Sequence, residues 1–149
     1  MKKFNFPLDT VLNYKDQTLD NLKSEHAIIL AQVVQQEQTI HALSEQRMAA
    51  CTRFREETHC GMTVSAMREY ESYITYMQQR ILYEEVTLKK LRLKEEQKRN
   101  EVVEAKKEKS SIEKLKEKKL DQYNKEVLRS EELFIEEFVS NTMSVRNSR

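Results

Sequence analysis

A chain of 149 residues with one Gly, one Pro and no Trp has few places where the backbone can turn, because Gly and Pro punctuate most loops. Its hydrophobic share of 38% is high for a disordered tail, and its charged share of 34% is high for a globule built around one thick core. Long helices with a thin apolar stripe and a broad charged surface are what remain. The net charge of +1 conceals an uneven distribution, with thirteen Lys or Arg against seven acids between Lys89 and Leu120, then five Glu and one Arg from Glu126 to Glu137.

The chain opens Phe4-Asn5-Phe6-Pro7-Leu8-Asp9, with Pro7 suited to a first helical turn and Asp9 favourable near the positive end of the helix dipole. A first helix is predicted over about 6–58. Alternating steps of four and three from Leu8 reach Leu12, Lys15, Leu19, Leu22, His26, Ile29, Val33, Gln36, Ile40, Leu43, Arg47, Ala50 and Phe54, and ten of these fourteen positions are apolar. That spacing keeps one seam turned toward a partner helix. Lys15, His26, Gln36 and Arg47 interrupt it at regular intervals, as isolated polar residues do where they fix register. His26 has no nucleophile or ligand set beside it and reads as structural.

The one strong break surrounds Gly61, so a tip is predicted at about 59–65. Gly61 can end the first helix in a left-handed cap, and Thr63 or Ser65 can cap the second. A short connection between two long helices makes them antiparallel neighbours. Cys51 and Cys60 are expected as free thiols in a reducing compartment, and His59-Cys60 lacks a second ligand pair for zinc.

The second helix is predicted over about 66–140, with a frayed end at 141–149. Its seam reads Met67, Tyr70, Ile74, Met77, Ile81, Glu84, Leu88, Leu91, Glu95, Lys98, Val102 and Ala105. Beyond Ile112 the heptad fails, and Leu115, Leu120, Tyr123, Val127, Phe134 and Phe138 follow with shifted steps that suggest a phase slip or another partner. Facing Phe54 with Met67 places Phe4 opposite about Glu117. Residues from roughly Lys118 onward then overhang, about 45 Å of helix at 1.5 Å per residue, and carry an apolar surface that reads as a docking helix. The expected fold is therefore all-α, one coiled-coil domain over 1–149 in which a long antiparallel hairpin has its second helix overhanging the first.

A two-helix hairpin has no interior for converging catalytic groups. No phosphate loop, nucleophile elbow or metal cluster is present in the sequence, so catalytic, cofactor and metal sites are all read as none, and the protein as not an enzyme. No spanning segment or signal peptide is recognisable, which points to the cytosol. In the basic stretch the acids are interleaved with the bases, as on a solvated helix face, so no nucleic-acid partner is expected. Binding of nucleic acid or anionic lipid there is the rival reading.

The opening Phe4-x-Phe6-x-Leu8-x-x-Val11-Leu12, the single Gly61 near mid-chain and the run Tyr70-x-x-Tyr73-Ile74-x-x-Met77-x-x-x-Ile81 together resemble the FliJ family of the bacterial flagellar export apparatus. The resemblance implies an antiparallel coiled coil similar to the stalk, or γ subunit, of rotary ATPases. It implies as partners the hexameric flagellar export ATPase around the free helix ends, the export gate protein FlhA near the tip, and export chaperones. It also implies a place at the cytoplasmic face of the inner membrane, with membrane association only through partners. On the tyrosine-run match, the gate contacts fall on Tyr73, Met77, Arg80 and Glu84, of which Arg80 and Glu84 are charged where smaller or less charged residues are expected. The ATPase-ring contacts fall on the apolar free ends, at Phe4, Phe6, Leu8, Tyr123, Val127, Phe134 and Phe138. The rivals are the stalk of an injectisome-type secretion system and a generic cytoplasmic coiled-coil tether.

Overall fold

The computed structural model describes residues 2–147. Two helices account for nearly all of them, α1 (Asp9–Cys60) and α2 (Val64–Asn147), and no strand occurs among the described residues. The break between them turns on Gly61, whose φ of 95° lies in the left-handed region. Its N–H donates to the Thr58 carbonyl at 3.3 Å, which closes the end of α1 in the way an αL cap does. A Cβ at Gly61 would meet nothing within 4 Å, so backbone conformation alone favours glycine there. Of the two expected caps for α2, Thr63 is the one in place, its Oγ1 accepting from the Ala66 N–H at 3.2 Å.

The outer helix boundaries differ from expectation. Pro7 and Leu8 form a turn, closed by Asp9 N–H donating to the Phe6 carbonyl at 3.2 Å, and α1 begins only at Asp9. At the other end α2 continues through Asn147 where fraying was expected from 141, with no Gly or Pro to interrupt it. The rest of the expected frayed end, residues 148–149, lies outside the described residues.

The chain gathers into two units. The first, Asp20–Val103, contains the tip and is a helical hairpin around a narrow core of Leu43, Ala50, Met77, Leu88 and Val102. Its polar seam positions are matched across the two helices. His26 Nε2 lies 2.9 Å from Glu95 Oε1, and the Gln36 amide donates to both the backbone carbonyl and the carboxylate of Glu84. Arg47 reaches Gln78 at 3.5 Å, while its Nε is enclosed without a partner. Lys98 bridges Glu25 at 2.8 Å and Glu101 at 3.0 Å, and those two acceptors hold its ammonium above the usual lysine pKa.

The second unit joins Met1–Leu19 to Glu104–Arg149. Its buried residues are Phe6, Leu19 and Ala105. Cross-helix ion pairs run along it, Lys15 with Glu108 at 2.7 Å, Lys109 with Asp16 at 2.6 Å and Lys116 with Asp9 at 2.7 Å. Exposed or half-exposed pairs contribute only about 0–1 kcal/mol each, so their main effect is on register. They also revise the expected phase slip. Beyond Ala105 the half-buried positions are Lys109, Ser110, Ile112, Lys116, Tyr123 and Val127, all but Ser110 on the heptad, whereas Leu115 and Leu120 are exposed. The seam persists, and lysines occupy part of it.

Candidate functional site

The amino-terminal arm decides where the paired structure ends. Residues 2–6 are not helical, so the helical rise of about 1.5 Å per residue does not set their reach. Phe6 is 3% exposed, with the Lys116 ammonium 5.9 Å from its ring centroid. Phe4 packs its ring 5.5 Å from that of Tyr123, and the Lys2 carbonyl accepts the Tyr123 hydroxyl at 2.9 Å. Phe4 therefore meets Tyr123 and not Glu117, and the overhang begins after Val127 rather than at Lys118. A register counted at the helical rise does not describe an arm that is not helical.

From Leu128 to Asn147 every residue is exposed, roughly 30 Å of helix at 1.5 Å per residue. Phe134 and Phe138 are 70% and 65% exposed. Ile135 lies beside Phe134 at the rim of a shallow hollow completed by Val127, Ser130 and Glu131. The expected ATPase-ring set is thus divided. Phe6 is buried, Phe4, Leu8, Tyr123 and Val127 are half-buried in the closure of the free end, and Phe134 and Phe138 stand in solvent. Among the described residues, Glu126, Glu131, Glu132, Glu136 and Glu137 form no ion pair, and with Arg129 as the one base among them the apolar end carries a net acidic margin.

The expected gate stripe divides in the same way. Tyr73 and Arg80 are exposed, Met77 is 3% exposed in the core, and Glu84 is half-buried under Gln36. A stripe with steps of four and three runs along the seam edge, so alternate members turn inward. Near the tip, Tyr70 packs tilted against Phe54 with centroids 5.5 Å apart, and the Glu57 carboxylate accepting from its hydroxyl raises its pKa. A further apolar face went unrecognised in the sequence. Tyr76, Leu82, Tyr83, Val86 and Leu93 are all exposed on α2, and the signal for them was large apolar residues at positions that the seam leaves unused.

Residues 4–148 of this two-helix chain match the family model described as Flagellar FliJ protein. The chain belongs to the FliJ family. Membership makes it a component of the flagellar export apparatus, and the FliJ family is non-catalytic. No curated protein and no solved structure matches the chain. Among the described residues no helix is long and apolar enough to cross a membrane, and no group of three or more His, Cys, Asp or Glu is placed to hold a metal ion.

Proposed function

We propose that this FliJ-family chain is the stalk-like element that links the flagellar export ATPase ring to the membrane export gate, with the unpartnered end of α2 as its ring-binding segment. The observation that carries the reading is the exposed run after Val127, where Phe134, Ile135 and Phe138 stand in water on a helix that has lost its partner. Large exposed apolar faces mark interaction sites, and a margin of unpaired glutamates favours a basic collar around them. Phe4, Leu8, Tyr123 and Val127 then act beneath the contact, setting the point at which pairing stops.

The gate contact, with FlhA as the partner, is assigned to Tyr73 and Arg80, which are exposed on one stripe of α2. Met77 and Glu84 support that stripe from the seam. An outward tyrosine gives an amphipathic anchor suited to a protein interface. Unladen export chaperones form a third class of partner, and all of these contacts place the protein at the cytoplasmic face of the inner membrane through its partners.

The test is to add the purified chain to the flagellar export ATPase and follow hexamer assembly and ATP hydrolysis. Stimulation that is lost in Phe134→Ser/Phe138→Ser is expected. A folded wild-type sample without effect on either readout would remove the stalk reading.

A further inference from the structure

The outward face of α2 between Tyr83 and Leu93 sets exposed bases among exposed apolar residues, with Glu85 as the exposed acid within it. Arg80, Lys89, Lys90 and Lys94 form no ion pair among the described residues, although cross-helix pairs engage Lys15, Arg92, Lys98, Lys109 and Lys116. In the sequence the acids beside them look like compensation. In the structure Glu84 and Glu95 are withdrawn into the seam by Gln36 and His26, so the surface is more basic than its composition. Tyr83, Val86 and Leu93 stand among these bases and are 71%, 52% and 61% exposed.

The unpartnered end of α2 carries the complementary pattern. Tyr83, Val86, Lys90 and Leu93 follow steps of three, four and three along one helix stripe, and Leu128, Glu131, Ile135 and Phe138 follow the same steps along another. These are the steps by which two helices interlock. Laid antiparallel, the stripes place Tyr83 against Phe138, Val86 against Ile135, Lys90 against Glu131 and Leu93 against Leu128. Laid parallel, they set Lys90 against Ile135 and Glu131 against Val86. One orientation therefore neutralises the two charges that the other strands on apolar residues, and a buried mismatch of that kind is what makes coiled-coil pairing selective.

We infer that a second copy of this chain covers the face at Tyr83–Leu93, using its own Leu128–Phe138 stripe in antiparallel orientation. The contact involves four residues from each helix over roughly 15 Å, which suits a reversible association of the free protein and not an obligate dimer. It goes beyond the stalk reading and does not depend on it. Where both hold, the self-contact and the ATPase ring compete for Ile135 and Phe138, so the apolar end is covered until the ring takes it.

Sedimentation velocity of the full chain over a concentration series, with charge-reversed variants, tests the inference. The wild-type sedimentation coefficient is expected to rise with concentration. Lys90→Glu and Glu131→Lys alone are each expected to weaken association at least tenfold, and an equimolar mixture of the two chains, or the double variant, to restore it. Unchanged helical circular dichroism confirms that each variant is folded. A wild-type coefficient that stays flat, or single variants that associate like the wild type, overturns the inference. Flotation with phosphatidylglycerol vesicles that depends on Lys90, from a chain that stays monomeric, also overturns it by assigning the face to anionic lipid.

Discussion

The seam between Asp20 and Val103 and the end of α2 after Val127 are helices of similar charge density with opposite fates for their apolar residues. In the seam the apolar side chains are buried or half-buried, and polar interruptions meet polar groups across the pair, as His26 does with Glu95 and Gln36 with Glu84. After Val127 the same residue types stand in solvent. The contrast shows that helix alone says nothing about burial here. The presence of a partner does, and the partner runs out where the amino-terminal arm ends.

Truncating a core residue should break this contrast most visibly. Leu43→Ala removes a buried side chain and is expected to cost about 2–4 kcal/mol, whereas Phe138→Ala should change stability by no more than about 0.5 kcal/mol because its ring already contacts water. Urea denaturation of the two variants measures the difference, and equal losses would mean that Phe138 is packed in the free protein. A second-copy contact of the kind inferred above would give such a loss only at high protein concentration.

Gln36→Ala comes next. It leaves the Glu84 carboxylate half-buried without its donor, at an expected cost of about 1–3 kcal/mol by the same measurement. The apolar pair Gln36→Leu/Glu84→Leu should recover that loss or exceed it. Its price should appear in register, as cysteine cross-links across the seam at positions shifted by a heptad.

Gly61→Ala follows, at about 1 kcal/mol. A Cβ there meets no neighbour, so the cost is that of holding an L-residue at positive φ. The smallest effect is on the alkaline side. Lys98 and Tyr70 both have raised pKa values, the first from its Glu25 and Glu101 acceptors and the second from its Glu57 acceptor. Their contributions are therefore complete below about pH 10 and fade as pH climbs through the raised values. The melting temperature should hold up to about pH 10 and fall above it as the two groups titrate through their raised values, and Lys98→Met should flatten part of that fall.

Much of the fold was legible because heptad spacing follows from helix geometry. All fourteen positions expected on the first helix and all twelve on the second are buried or half-buried. Gly61 as the tip was legible for a related reason, since nothing else in the chain tolerates positive φ so readily. Two features were hidden. The seam beyond Ala105 carries Lys109 and Lys116, so its apolar period disappears although its geometry continues. The reach of Phe4 to Tyr123 depends on an arm that is not helical, and a register counted at the helical rise stops short of it. Met77 and Glu84 were expected both on the seam and at a partner contact, and the structure holds them in the seam.

The central claim is that function lies where pairing ends, and stimulation of the flagellar export ATPase by matched variants tests it most directly. Phe134→Ser/Phe138→Ser should keep its helical signal and melting temperature yet lose stimulation of ATP hydrolysis, while Tyr73→Ala/Arg80→Ala should keep both. Full stimulation by the first variant, or loss only in the second, would contradict the account.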